Sequence, residues 1–203
     1  MATIAKQLEH LKKDKHLKKV IDRVGIIKGS KSEDLYFSLM RAIVSQQLSV
    51  KAAATIFARF LALFKEGYPH AKNILKMKDE QLRAAGLSFQ KAGYLKNIAQ
   101  FSIEETLEYS QLKSKTDDEL VDYLVEIKGV GRWTVEMLLM FSLGREDVFP
   151  KDDLGIQNGI IKLYEIKALN KKDLYAQMDR IAEKWKPYRT LACKYLWRHK
   201  DEG

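Results

Sequence analysis

Residues 124–138 form the sequence LVEIKGVGRWTVEML, in which two helical patterns are separated by the four residues KGVG. Glycine at 129 and 131 relieves the steric limits on the backbone and lets another group approach the peptide N–H groups. The helix that starts at Arg132 directs its first N–H groups and its positive dipole end along that approach. The stretch predicts a tight helix–turn–helix that suits a phosphate, although a plain interhelical turn with a C-capping glycine uses the same residue types.

The charge of the chain favours the phosphate interpretation. The 203 residues include 36 Lys plus Arg and 27 Asp plus Glu, a formal net charge of +9. A basic protein gains affinity for a polyanion because neutralised phosphates release condensed counterions. We therefore predict that the turn binds the backbone of double-stranded DNA. The residues expected to make these contacts are Lys128, Gly129, Val130, Gly131, Arg132 and Thr134.

The rest of the chain has the apolar periodicity of α-helices. Leu35, Leu39 and Ile43 recur at helical spacing, and Thr116 with Glu119 has the spacing of a capping box. No segment shows sustained alternation of period two. We predict an all-α fold of roughly ten helices in two helical subdomains, with a DNA-binding cleft between them. Beyond the turn, helices are expected over about 4–23, 72–84, 89–108, 132–143, 154–165, 171–184 and 188–200.

Several classes of protein are excluded by composition. A single cysteine, Cys193, rules out an intramolecular disulfide, a four-cysteine iron–sulfur cluster and a structural zinc site of that kind. The four histidines form no HExxH pair. The apolar run at 137–143 is too short to span a bilayer, and charged residues interrupt the start of the chain, so no membrane association or secretion is expected. Chemistry must then come from carboxylates, hydroxyls or lysines.

Two adjacent aspartates lie in the loop that follows the second helix of the turn. Residues 148–160 are VFPKDDLGIQNGI, so Asp152 and Asp153 come directly before the next helical pattern. One aspartate is accounted for as an N-cap, because a carboxylate accepts hydrogen bonds from the orphan N–H groups of a helix start. An N-cap does not account for the pair.

The turn and the downstream aspartate together resemble the helix–hairpin–helix (HhH-GPD) superfamily of base-excision DNA glycosylases. Its signature is a hairpin, a loop containing glycine and proline, and an essential aspartate, at a spacing like that from Trp133 to Asp153. RAIVSQQLSVKAA at 41–53 and WKPYRTLACKYLW at 185–197 are similar to the 3-methyladenine DNA glycosylase II (AlkA-like) branch, in its short form without an N-terminal β domain. The resemblance implies one domain over 1–203, with the hairpin motif at 117–143 and the N- and C-terminal helices packed together as one half.

This resemblance implies a monofunctional hydrolase that flips out alkylated purines, chiefly 3-methyladenine and 7-methylguanine, and leaves an abasic site. Asp153 would be the catalytic carboxylate that stabilises positive charge on the deoxyribose. Bifunctional members carry a Schiff-base lysine where this chain has Trp133, so no β-lyase activity is expected. Two alternatives stay open: a glycosylase for ethenoadenine, hypoxanthine or 8-oxoguanine, and a noncatalytic DNA-binding module in which Asp153 is only a cap.

The resemblance also assigns supporting roles. Trp133, Trp197 and Met137 would line the base pocket, although both tryptophans equally suit a packed core. Gln47 would fill the gap left by the flipped base, although it also suits a polar helix junction. The carbonyls of Val125, Ile127 and Val130 would hold an optional Na⁺ or K⁺ ion, with no other cofactor required. We expect a monomer in the cytoplasm (nucleoid) of a bacterium or the nucleus of a eukaryote.

Overall fold

The computed structural model describes residues 3–27 and 32–201, with side chains to residue 199. These residues contain thirteen helices and no strand. The prediction of an all-α fold is confirmed. The helices are Ile4–Leu11 (α1), Lys15–Val24 (α2), Leu35–Ser45 (α3), Val50–Leu61 (α4), Ala71–Lys76 (α5), Asp79–Ala84 (α6), Phe89–Glu104 (α7), Tyr109–Leu112 (α8), Asp117–Val125 (α9), Arg132–Phe141 (α10), Leu154–Tyr164 (α11), Lys171–Glu183 (α12) and Arg189–Asp201 (α13).

Two predicted helices are each divided in two, and a third, predicted over 89–108, ends early. The stretch 4–23 contains α1 and α2, because Asp14 caps a new helix and its Oδ1 accepts hydrogen bonds from the N–H groups of His16 at 2.9 Å and Leu17 at 3.1 Å. The stretch 72–84 contains α5 and α6, and α7 ends at Glu104 before the separate α8. Short breaks of this kind leave the apolar periodicity on both sides intact, so periodicity alone does not reveal them.

The described residues divide into two compact units, of which one covers 32–143. In this unit α3 packs against α4, α7 and α10, α5 and α6 pack against α7, and α9 packs against α10. Its core includes Leu39, Ile43, Leu95, Ile98 and Leu138, which are all buried. This packing places the turn between α9 and α10 on a framework formed by α3 and α7.

The other unit covers 3–27 together with 144–201, so the first and last helices of the chain fold together. Within it α13 packs against both α2 and α11, around a core that includes Leu17, Trp185 and Tyr195. A Cβ atom at Gly159 would lie 3.1 Å from the carbonyl oxygen of Leu196, so a glycine is what allows α11 and α13 to pack this closely. Among the residues that the structure describes, no helix is long and apolar enough to cross a bilayer.

Candidate functional site

The turn between α9 and α10 is short and internally bonded. Gly129 has a φ of +105°, a backbone conformation that favours glycine, and the N–H of Val130 donates to the carbonyl of Ile127 at 2.9 Å. Gly131 is the N-cap of α10, with φ −95° and no side chain to accept a cap hydrogen bond. The chain therefore enters α10 with its first N–H groups uncapped by a side chain.

Two side chains of helix α7 contact and support this turn. The ring of Tyr94 lies so close to Gly129 that a Cβ atom there would overlap it. The side-chain amide of Asn97 donates to the carbonyl of Lys128 at 3.0 Å. Glycine at 129 is thus required twice, by the positive φ and by the tyrosine ring. No sequence pattern predicted these roles of Tyr94 and Asn97.

Gln46, at the end of α3, forms a second support. Its Nε2 donates to the hydroxyl of Thr134 at 3.1 Å and to the carbonyl of Gly129 at 3.5 Å. Thr134 is 1% exposed, and its own N–H donates to the carbonyl of Gly131 at 2.9 Å. The first turn of α10 directs the Thr134 hydroxyl into the core, so this side chain is not accessible to a DNA phosphate, and a contact through the backbone of Thr134 stays a prediction.

Three of the predicted phosphate contacts remain accessible. Lys128 and Gly131 are exposed, and a Cβ atom at Gly131 would meet open space. Within the described residues, no hydrogen bond takes the N–H of Gly131 or Arg132. The Arg132 guanidinium is paired with Glu136 at 3.3 Å, but the Arg132 side chain is 62% exposed and stays accessible to an external anion. Val130 is buried and contributes backbone to the turn.

The loop after α3 carries Gln47 outward. Gln47 is exposed and has a φ of +58°, which is uncommon for a residue with a side chain. Lys91 holds this loop from α7: its Nζ donates to the carbonyls of Val44 and Gln46, both at 2.8 Å. Burial lowers the pKa of Lys91. This lysine therefore caps the end of α3, a role that no sequence pattern predicted.

Trp133 and Met137 lie on one face of α10. They are four residues apart, so they are neighbours on the helix surface, and both are half-buried. By contrast Trp185 is wholly buried in the core of its own unit. The structure thus leaves part of Trp133 and Met137 accessible, as a residue lining a base pocket requires.

Asp153 is the N-cap of α11 and is half-buried. Its Oδ1 accepts one hydrogen bond from the N–H of Ile156 and another from the indole Nε1–H of Trp197, both at 2.8 Å. Asp152 differs from Asp153: it is exposed and bonded to the Tyr175 hydroxyl. The structure therefore brings Asp153 and Trp197 together, and it separates the two adjacent aspartates into different environments.

The turn also offers oxygen atoms to a cation. Val125, Ile127 and Val130 contribute neutral carbonyl oxygens, and of these only the Ile127 oxygen accepts a hydrogen bond among the described residues. A carbonyl oxygen has two lone pairs, so the Ile127 oxygen keeps acceptor capacity. Uncharged oxygens of this type fit a monovalent cation. No group of three or more His, Cys, Asp or Glu side chains in the described part of the chain could hold a metal ion.

Comparison with known proteins gives consistent matches. The family model described as "HhH-GPD superfamily base excision DNA repair protein" matches residues 40–187. The chain is 38% identical over 190 residues to DNA-3-methyladenine glycosylase 1 of Schizosaccharomyces pombe, covering 91% of this chain and 82% of that protein. It is 28% identical over 173 residues to DNA-3-methyladenine glycosylase 2 of Escherichia coli, covering 81% of this chain and 57% of that protein.

A solved structure also matches the chain, at the same 38% sequence identity. The 3-methyladenine DNA glycosylase of Schizosaccharomyces pombe, determined in complex with abasic DNA, superposes with a TM-score of 0.87 at 38% identity. The match covers 95% of each chain. The likeness therefore extends over both compact units. The family-model match over 40–187 includes the hairpin turn and the loop of Asp153.

Proposed function

Because the chain belongs to the HhH-GPD superfamily of base excision DNA repair proteins, we propose that it is a monofunctional DNA glycosylase. It hydrolyses the N-glycosidic bond of alkylated purines in duplex DNA, chiefly 3-methyladenine and 7-methylguanine, and leaves an abasic site. The observation that carries this proposal is the carboxylate of Asp153, half-buried and oriented by the N–H groups of Ile156 and Trp197.

A half-buried carboxylate that is held by two hydrogen bonds suits the chemistry of base removal. Breaking the glycosidic bond builds positive charge on the deoxyribose, and a negative group held beside the sugar stabilises that charge or directs a water molecule at C1′. An N-alkylated purine is already cationic and leaves readily, so the reaction needs no strong general acid. This agrees with a site in which an aspartate is the assigned catalytic group.

Recognition of a cationic base follows from the aromatic residues assigned to the pocket. The face of a tryptophan attracts a cation by about 0.5–2 kcal/mol. Trp133 and Met137 offer a half-buried face on α10, and Trp197 lies beside Asp153. Since Trp133 occupies the position of the Schiff-base lysine of bifunctional members, β-elimination at the abasic site has no amine nucleophile there.

The hairpin supplies the affinity for DNA in this proposal. Lys128, the N–H groups of Gly131 and Arg132, and the dipole of α10 all favour a phosphate at the same place. Gln47 would enter the gap in the duplex and offset part of the lost stacking. A Na⁺ or K⁺ ion on the carbonyls of Val125, Ile127 and Val130 would add a positive charge at that phosphate. The protein acts as a monomer in the compartment that holds the host's DNA.

The test is release of free base from methylated duplex DNA by the wild type and by Asp153→Asn, with thermal melting of both proteins. Asparagine caps a helix about as well as aspartate, so the variant removes the charge and keeps the cap. We expect base release by the wild type and a loss of about 100-fold or more in a well-folded variant.

Other results would change the assignment. An active variant that is merely less stable would make Asp153 a cap and assign catalysis to another group. A wild type that binds methylated DNA without releasing any base would be a noncatalytic DNA-binding module. Release of 8-oxoguanine, hypoxanthine or ethenoadenine with no release of methylpurines would move the enzyme to another class of lesion. The base released from each duplex therefore decides between the alternatives.

A further inference from the structure

Gly155 packs against the Cδ1 and Nε1 atoms of the Trp197 indole. It is the second residue of α11 and is buried. A Cβ atom there would lie 2.8 Å from Cδ1 of Trp197, 3.0 Å from its Nε1 and 2.9 Å from Oδ1 of Asp153. Carbon atoms in proteins do not approach so closely, so any larger residue at 155 would displace either the indole or the carboxylate.

This close approach is what brings the indole N–H to the carboxylate. Oδ1 of Asp153 accepts from Nε1 of Trp197 at 2.8 Å, and the same oxygen accepts from the N–H of Ile156 at 2.8 Å. Two donors on one oxygen, one from the backbone of α11 and one from α13, fix the plane of the carboxyl group. A capping aspartate needs only the first of these bonds.

We propose that Gly155 and Trp197 are positioning residues for Asp153: the missing side chain at 155 admits the indole, and the indole N–H orients the carboxylate for its reaction. This inference rests on the proposed function. It gives the Trp197 N–H a role separate from any contact between the face of its ring and the alkylated base.

Gly159 provides an internal control in the same helix. It packs against α13 like Gly155, since a Cβ atom there would lie 3.1 Å from the carbonyl oxygen and 3.2 Å from the Cβ of Leu196. Its three nearest neighbours are all atoms of Leu196, whereas those of Gly155 are atoms of Trp197 and Asp153. Gly159→Ala therefore perturbs the packing of α11 and α13 without removing the bond between the indole and the carboxylate.

The experiment compares Trp197→Phe, Gly155→Ala and Gly159→Ala with the wild type. Three quantities are measured: the single-turnover rate of 7-methylguanine release at saturating enzyme, the Kd for a duplex with a tetrahydrofuran abasic analogue, and the Tm. The single-turnover rate reports the chemical step, whereas the Kd reports DNA binding. All rates are taken well below the lowest Tm.

We expect Trp197→Phe, which keeps an aromatic ring and removes the N–H, to lower the single-turnover rate about 10-fold or more while the Kd changes by less than about twofold. Gly155→Ala lowers the rate similarly, and the double variant loses little more than either single one because both changes remove the same bond. Gly159→Ala lowers the Tm but leaves the rate within about twofold of the wild type.

Two outcomes overturn the inference while leaving the proposed function in place: a Trp197→Phe variant with a normal rate, or a Gly159→Ala variant that loses as much rate as Gly155→Ala. Absence of methylpurine release by the wild-type protein overturns the proposed function, and the positioning role falls with it. The wild-type control thus separates the two kinds of failure.

Discussion

The starts of α10 and α11 present the same chemical group, an array of orphan backbone N–H donors, and the protein treats them in opposite ways. At α10 the N-cap is Gly131, which has no side chain to accept from them. At α11 the N-cap is Asp153, whose carboxylate accepts from the N–H of Ile156. An uncapped start is suited to an external anion, whereas a capped start holds an anion of the protein itself in place.

Both helix starts have the same kind of packing contact nearby, an aromatic ring against a glycine. Tyr94 covers Gly129 in the hairpin, and Trp197 covers Gly155 beside the carboxylate. The effect differs, because the tyrosine shapes the backbone of a turn and the tryptophan orients a side chain. Each helix start is therefore held by a residue far away in sequence.

The largest effect on DNA binding is expected when α10 is given the cap that α11 has. Gly131→Asp has open space for its side chain, and aspartate is a better N-cap than most residues, so the unfolding free energy should not fall. The new carboxylate would occupy the N–H groups and repel a phosphate, lowering duplex affinity about 10-fold or more. Kd measurements at several salt concentrations, with Gly131→Ala as the uncharged control, check this. Unchanged affinity for the aspartate variant would refute the hairpin's role in binding.

The largest effect on stability is expected at Gly129. Gly129→Ala places a Cβ atom at a φ of +105° and into the ring of Tyr94, so we expect a loss of about 2–4 kcal/mol in unfolding free energy. Gly131→Ala should cost less than about 1 kcal/mol. Denaturant unfolding of both variants measures the difference. Equal losses would show that the two glycines of the turn are not distinguished as the structure indicates.

Lys91 supports the loop of Gln47 rather than either helix start. Lys91→Met leaves the carbonyls of Val44 and Gln46 without their donor, and we expect a loss of about 1–3 kcal/mol in unfolding free energy. Lys96→Met on the same helix breaks an ion pair with the carboxylate of Asp79, which stays partly accessible to water, and should cost about 0–1 kcal/mol. Denaturant unfolding measures both losses, and equal losses of unfolding free energy in the two methionine variants would contradict the support of this loop by Lys91.

The smallest effect is expected at Gln47 itself. Gln47→Gly suits the observed φ of +58°, so stability should change by less than about 1 kcal/mol. Release of 7-methylguanine should fall several-fold from a fully paired duplex and less from a mismatched one, because a mismatched base costs less to flip. Equal losses on both substrates would contradict a role for Gln47 in filling the gap.

Local sequence was enough for the features that depend on local forces. Helical periodicity predicted the all-α fold, the glycine pair predicted a tight turn between α9 and α10, and the capping box at Thr116 is present with both of its hydrogen bonds. The resemblance placed residues 41–197 in the superfamily that the family model also identifies. Periodicity did not detect the break at Asp14, because both helices keep their apolar faces across it.

What surrounds each functional group was decided by the tertiary structure. Thr134 faces Gln46 in the core, Lys91 reaches the end of α3, Tyr94 covers Gly129, and Gly155 admits Trp197. Each of these contacts joins residues at least 35 positions apart in the chain. A helical pattern predicts which residues share a face of the helix. The contacts of one side chain depend on which other helix packs against that face. The sequence therefore determined the helices, the hairpin and the candidate carboxylate, and only the packing of distant helices determined how that carboxylate and the hairpin are held.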